Sequence, residues 1–153
     1  MNITIRPATL SDNESLVDFN AAMALETETL KLDRERLRKG VEALLTDSAK
    51  GFYVVAEIDG VIIGQLMITY EWSDWRNATF WWMQSVYVLP LYRKQGVFKT
   101  LYRYIESLAC NQGHVCGLRL YVEQENDRAQ KTYKALGMTH SHYQLMEGVF
   151  EMK

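Results

Sequence analysis

The sequence is poor in the features that divide, anchor or staple a chain. Only two prolines, Pro7 and Pro90, occur in 153 residues, and neither belongs to a Pro/Gly-rich linker. With no internal repeat and no low-complexity tract either, no domain boundary is placed. One domain over residues 1–153 is expected, a length that buries a single sizeable core. Two cysteines, Cys110 and Cys116, stand with five residues between them and no second pair, which excludes a cysteine zinc site and a disulfide framework. Reduced, partly buried thiols in a cytoplasmic protein are expected. Long apolar runs are missing too. The longest, such as Gly60 to Met67, fall far short of the roughly 20 residues a bilayer span needs. The opening Met1-Asn-Ile-Thr-Ile-Arg-Pro7 has no basic segment followed by an apolar stretch, so no signal peptide is read there, and no membrane partner is expected. His140 and His142 lie two apart with nothing nearby to complete a metal site, and are read as surface residues.

What is present is the composition of a soluble globular chain. At 48% hydrophobic and 24% charged residues, it can fill a core and solvate its surface. The net charge is −2, but the charges are unevenly spread. Residues 1–90 hold 13 acids and 8 bases; residues 91–153 hold 6 acids and 9 bases. A basic half suits an anionic cofactor and an acidic half a cationic acceptor. The same distribution argues against nucleic acid, because the bases cluster at one loop and the acidic half would repel phosphate.

Along the chain, Ile3 to Arg6 alternates as a short strand. Ser11-Asp-Asn-Glu14 reads as a capping box, and a helix to about Ala24 puts Leu16, Phe19 and Met23 on one face. Asp33 can cap a second helix carrying Leu37, Val41, Leu44 and Leu45 at helical spacing. Phe52 to Ile58 and Val61 to Tyr70 flank Asp59-Gly60, a dipeptide suited to a type I′ hairpin turn. A loop through Trp72 to Asn77 precedes a strand from about Thr79 to Leu89, which Pro90 stops. A helical pattern with Leu101, Tyr104, Ile105 and Leu108 on one side ends by Gly113. Leu118 to Val122 reads as a strand, and Asn126 to Leu136 as a helix closed by Gly137. Thr139 to Met152 alternates enough for one or two strands. The order is α/β, with a mixed sheet in its middle.

Two stretches carry chemistry. In Ser85-Val-Tyr-Val-Leu-Pro-Leu-Tyr-Arg-Lys-Gln-Gly-Val-Phe-Lys-Thr100, a strand gives way to a basic, glycine-containing loop and then a helix. A helix start offers unpaired N–H groups and partial positive charge, which suit a pyrophosphate. Gly96 removes the Cβ that would hold a phosphate off the backbone, and Arg93, Lys94, Lys99 and Arg103 add cations. The plainer reading is a strand–turn–helix connection with a solvated basic rim. In the second stretch, Asn126 is a good N-cap, and Tyr133 follows two turns along the same face. Taken alone, Tyr133 is an ordinary amphipathic helix residue.

Together these stretches resemble the GCN5-related N-acetyltransferase (GNAT) family. Arg93-x-x-Gly96-x-Phe98 looks like its pyrophosphate loop, with Phe98 where that loop usually has Gly or Ala. Asn126-x-x-Ala129-x-x-x-Tyr133-x-x-x-Gly137-Met138 is similar to the segment that completes its cofactor site. The resemblance covers essentially the whole chain. It implies a single GNAT-like domain: a mixed, mostly antiparallel sheet with a splayed central pair of parallel strands, flanked by helices.

It also implies direct attack of a primary amine, on a small molecule or peptide, on acetyl-CoA. Val86, Tyr87 and Val88 would hold the pantetheine, with the Val88 amide facing the thioester oxygen. The backbone of Arg93, Lys94, Gln95, Gly96, Val97, Phe98 and Lys99 would hold the pyrophosphate, with Asn126 nearby. A large side chain at Phe98 must then point away from the phosphates, or the loop must shift. Tyr133 matches the family's general acid, and a phenol with a pKa near 10 is protonated at neutral pH. For the base, Glu123 on the second splayed strand comes first, with Glu26, Glu28, Glu71 and Asp74 in reserve. Glu71, Trp72, Asp74 and Trp82 belong to an aromatic stretch that reads as an acceptor wall, in which carboxylates and indoles meet an ammonium. Its alternative is a stability hairpin or a homodimer contact. The competing function is a non-catalytic acyl-CoA-binding or sensing module.

Overall fold

The computed structural model describes residues 1–153 and divides into two compact units, Met1–Tyr121 and Val122–Lys153. The first unit holds a five-stranded sheet in sequence order, built from β1 (Thr4–Pro7), β2 (Phe52–Ile58), β3 (Val61–Ser73), β4 (Ala78–Val88) and β5 (Val115–Leu120). The first three pairings are antiparallel and β4–β5 is parallel, the mixed, mostly antiparallel sheet expected from the sequence. Asp59 and Gly60 both take positive φ, 50° and 78°, as a type I′ turn between β2 and β3 requires.

Alternation along β2 sorts the helices onto two faces. Tyr53 and Val55 join Leu16 and Val17 of α1 (Asn13–Glu28) and Val41 and Leu44 of α2 (Arg34–Leu45) in one buried cluster. On the opposite face α3 (Val97–Asn111) lays Val97, Leu101 and Ile105 against the sheet, each 2% exposed or less. Gly64 of β3 is what lets α3 sit so close. A Cβ there would stand 3.3 Å from Val97 Cγ1 and 3.2 Å from the Tyr87 carbonyl.

Several boundaries differ from those read in the sequence. The cap before α1 is not Ser11-to-Glu14. A single 3-10 turn, Leu10–Asp12, precedes the helix, and the Thr9 N–H donates to Asp12 Oδ2 at 2.7 Å. Arg6 of β1 grips the same carboxylate through two bonds of 2.8 and 3.0 Å, so a tertiary ion pair selects which acid caps; Glu14 instead meets Arg38 of α2 at 2.6 Å. Both cysteines are exposed, not partly buried. The strand read at Leu118 to Val122 forms three residues earlier and ends at Leu120.

The second unit contains α4 (Asp127–Ala135). Asn126 caps it by accepting the Ala129 N–H at 3.1 Å, and Gly137 (φ 102°) closes it: the Gly137 and Met138 amides donate to Lys134 and Tyr133 carbonyls at 3.0 Å each. The one or two strands expected over Thr139 to Met152 do not form, and residues 139–153 carry no regular secondary structure. Alternation creates a strand-like face, but a strand also needs a neighbour for its N–H and C=O groups, and none is paired with it here. No helix is long and apolar enough to cross a membrane, and no group of three or more His, Cys, Asp or Glu side chains is placed to hold a metal ion.

Candidate active site

The parallel pairing of β4 with β5 runs from Thr79↔Val115 to Met83↔Leu120 and then stops, although β4 continues to Val88. Residues 84–88 therefore have a vacated edge on the β5 side. A bulge sits at the start of this open stretch, where the β3–β4 register shifts between Gln65 and Met67 and Ser85 takes φ 52°. Gln65, wholly buried, ties the bulge down by donating from Nε2 to the Ser85 carbonyl at 2.8 Å. Beyond it, the Leu89 N–H reaches back across the sheet to Ile63 O at 2.9 Å. By strand alternation the Val88 N–H and C=O turn the other way, to the vacated side, where the carbonyl accepts Arg93 Nε at 2.8 Å.

The chain then turns through Pro90–Tyr92 into Arg93 to Gly96 and enters α3. Gly96 is the N-cap at φ 83°, and the space where a Cβ would stand is open, with no atom within 4 Å. The first helical bond shown there is Thr100 N–H to Gly96 O at 3.0 Å, so the Val97 and Lys99 amides have no acceptor in the helix ladder. Phe98 lies against Tyr102 one turn on, with ring centroids 6.2 Å apart. Arg103 is paired with Glu106, whereas Lys94 and Lys99 have no carboxylate partner. Open backbone, outward amides and two unpaired ammonium groups fit a diphosphate at this turn.

Arg93 is committed differently. Its guanidinium pairs with Glu26 of α1 at 2.8 Å and lies 5.3 Å from the centre of the Tyr87 ring, whose hydroxyl donates to the same carboxylate at 2.9 Å. The Arg93 guanidinium, and secondarily the Tyr87 hydroxyl, hold Glu26 below the usual carboxylate range, while partial burial pushes Tyr87 up. Glu26 and Glu28, expected on the acceptor side in a link after a helix ending near Ala24, instead lie on α1, which runs to Glu28, and Glu26 ties that helix to the loop expected to hold the cofactor's phosphates.

A second polar group occupies the α1/α2 face of β3–β5, farther from the loop. Glu71 accepts Trp82 Nε1 at 2.8 Å and Arg119 at 2.6 Å; Trp82 lies 4.6 Å from Tyr121, and Arg119 stacks 3.6 Å over Phe80. Gly117 makes room for that stack, since a Cβ there would stand 2.8 Å from Phe80 Cε1. Of the expected acceptor residues, Glu71 and Trp82 are brought together. Trp72 is exposed, Asp74 closes a local turn through the Trp75 N–H, and Glu28 is exposed at the end of α1. Arg119 and Tyr121 went unread in the sequence. A period-two step from Arg119 to Tyr121 was the available signal, but nothing in it named the Glu71–Trp82 partner 48 residues away.

In the second unit Tyr133 is half-buried on α4, and burial raises its phenol above the usual value. Glu123, expected on a strand, lies past the end of β5 with an exposed side chain, its carbonyl accepting Gln130 Nε2 at 3.1 Å. One cavity, of about 480 Å³, is lined by Phe52, Tyr70, Trp81, Leu108 and His114 among others. It lies at the far end of α3, a helix length from Gly96, and contains none of the residues assigned to the site.

A mixed sheet that opens between two parallel strands, beside a glycine-capped basic helix start, defines the class: this is an acyltransferase architecture. The chain belongs to the acetyltransferase (GNAT) family, whose model matches residues 16–138. A possible acetyltransferase from Clostridium difficile 630 is 43% identical, with a TM-score of 0.92, over 99% of this chain and 100% of that one. A thialysine N-epsilon-acetyltransferase from Bos taurus is 32% identical over 77 residues, half of this chain and 44% of its own length; the match thus spans less than half of that relative. AAC(6')-Iy, solved with the bisubstrate analogue CoA-S-monomethyl-acetylneamine, shares the fold at 19% identity and a TM-score of 0.76 over 98% of this chain and 99% of that one.

Proposed function

We propose that the enzyme transfers an acetyl group from acetyl-CoA to a primary amine of a small molecule or peptide, by direct attack and within one N-acetyltransferase domain. The observation that carries this reading is the pairing of an open β4 edge with the Gly96 turn. One presents an unused backbone donor at Val88 and the other a diphosphate cradle. When bound, acetyl-CoA supplies the activated thioester. The cradle is assigned to the Arg93–Lys99 backbone with Lys94 and Lys99 as cations, and Asn126 is placed with the cofactor. Val86, Tyr87 and Val88 line the pantetheine edge, where the Val88 amide stabilises negative charge developing on the carbonyl oxygen.

An alkyl ammonium with a pKa near 10.4 must lose a proton before its nitrogen can attack. We assign that proton to Glu123, directly or through a water. When the amine displaces the thiolate, Tyr133 would give its phenolic proton to the leaving sulfur, and the proton that the nitrogen sheds on becoming an amide would pass through solvent and restore the phenol. A raised phenol pKa keeps that proton in place across the physiological range. Glu26, Glu28, Glu71, Trp72, Asp74 and Trp82 are assigned to the acceptor side. The four carboxylates among them favour a cationic acceptor, and the thialysine acetyltransferase relative supports an aliphatic ammonium on an amino acid-sized molecule. The exposed free thiols Cys110 and Cys116 support a cytoplasmic location.

A thiol-release screen of acetyl-CoA against an amine library tests the reading. At least one amine should give turnover. With that amine, Tyr133→Phe should lower kcat about 10²- to 10⁴-fold with CoA affinity nearly unchanged. Full turnover by Tyr133→Phe would remove Tyr133 as the acid.

A further inference from the structure

The bulge in β4 decides which backbone groups face the vacated edge. Leu66 of β3 stands opposite two residues, Ser85 and Val86, because the pairing steps from Met67↔Gln84 to Gln65↔Tyr87. Side chains and amides alternate along a strand, so one extra residue exchanges the two sides for everything that follows. Before the bulge the even-numbered residues face α1 and α2: Gln84 lies opposite Met67, which packs on the cluster those helices share with the sheet. After it the odd-numbered Tyr87 takes that face, its ring 5.3 Å from Phe19 and its hydroxyl on Glu26. Without the extra residue the Val88 N–H would turn into β3, as the Leu89 N–H now does.

The bulge is not held by its own backbone preference, since Ser85 is a non-glycine residue at φ 52°. Buried polar side chains from three elements meet it instead. Gln65 of β3, wholly buried, donates to the Ser85 carbonyl at 2.8 Å. Behind it stand Tyr53 of β2 and Asn20 of α1, both buried. Asn20 Nδ2 donates to the Leu16 carbonyl at 2.9 Å and to the Tyr53 hydroxyl at 3.2 Å. Burial raises the Tyr53 phenol, and Asn20 and the Ser85 side chain both pull it back, so Ser85 is the second neighbour of that oxygen. Such groups weaken a core. Gln65 Oε1 is buried without a partner, a loss that an apolar side chain of the same shape would not carry. Packing alone calls for Leu or Met at this position; holding a carbonyl calls for an amide.

We propose that Gln65, with Tyr53 and Asn20 behind it, is a positioning residue for acetyl transfer, fixing the β4 bulge so that the Val88 amide rather than that of Leu89 meets the thioester carbonyl. The proposal rests on the acetyl-transfer reading, and its three side chains act through Ser85 without touching a reacting atom. It also gives α1 a part in the transfer site. That helix reaches the open strand on both sides of Val86: at Ser85 through Asn20 and Tyr53, and at Tyr87 through Phe19 and Glu26. Gln65→Met isolates the effect. It keeps the length of the side chain and removes the amide, so the Ser85 carbonyl loses its donor while the unpartnered Oε1 disappears as well. The two changes oppose each other in stability but not in the aim of the Val88 amide.

Acetyl-CoA labelled with carbon-13 at the thioester carbonyl gives a direct readout by NMR on the full chain. Bound to the parent, its carbonyl resonance should move downfield, because the Val88 N–H polarises the C=O bond. In Gln65→Met that shift should shrink, while coenzyme A, which has no thioester carbonyl, binds as it does to the parent. With an amine the parent accepts, kcat should fall about 10²-fold at nearly constant KM, the mark of an interaction made in the transition state. Tyr53→Phe keeps the ring and removes the hydroxyl. It should show the same changes in smaller measure, and it carries the test if Gln65→Met does not fold. A full parental shift and kcat in the folded variants would overturn the proposal and leave acetyl transfer standing. So would a shift that falls only in step with the fraction of unfolded protein. Acetyl-CoA bound by the parent with no downfield shift would remove the Val88 donor and the role of Gln65 with it. No binding by the parent would remove the acetyl-transfer reading itself.

Discussion

At the scale of single residues, two positions show how a side chain, or its absence, sets local geometry. Gly96 is one. At φ 83° any other L-residue is strained by about 1–2 kcal/mol, yet the room for a Cβ is there. Gly96→Ala should therefore fold, with an unfolding free energy from urea titration lowered by that amount and no more. A much larger loss would mean that the turn is held by packing rather than by its backbone conformation. Asp12 is the other. Only 7% exposed, it accepts from Arg6 and from the Thr9 amide, and the Arg6 bonds hold its carboxyl below the usual range. A depressed folded pKa adds stability that is complete above the unfolded value near 3.9 and disappears as pH falls through the lower folded one. Asp12→Asn should cost about 2 kcal/mol at neutral pH. The gap from the parent should close on acidification below pH ~4, as read from paired denaturation curves. A gap independent of pH would refute the ionic account of this cap.

At the scale of elements, the β4–β5 pair is the feature on which the site depends, and its parallel register rests on Gly117 beneath Phe80. Gly117→Ala drives a Cβ to 2.8 Å from that ring, which is also held from above by Arg119. Overpacking of this kind costs about 1–3 kcal/mol. We expect a fall in Tm of several degrees with a disturbed Trp82 fluorescence, because Arg119 and Trp82 share Glu71. An unchanged Tm would show that the ring moves freely.

Most elements could be read from the chain because they are written locally. Asp59-Gly60 fixes the hairpin, Asn126 and Gly137 bracket α4, and Asp33 caps α2. What could not be read was written in distant partners. Asp12 displaced Ser11 and Glu14 at the first cap because Arg6, on a strand, reaches it. The Glu26–Arg93–Tyr87 and Glu71–Trp82–Arg119 groups join residues up to 67 apart, so spacing along the chain is silent about them. The tail misled in the opposite sense: its alternation promised strands, and residues 139–153 form none.

For the whole molecule, the uneven charge noticed in the sequence has a structural address. Unpaired Lys94 and Lys99 stand at the start of α3, while Glu71 and its partners occupy the face across the sheet. A protein so arranged should attract the anionic cofactor with an affinity that falls as salt rises. The proposed activity requires the turn at Gly96 to grip a diphosphate. Titration calorimetry of acetyl-CoA into the intact protein at low salt, repeated with Gly96→Ala, tests this most directly. We predict one site per chain, weakened by both added salt and the new methyl group. Absence of heat in the parent protein, or equal affinity in the folded Gly96→Ala variant, would contradict it.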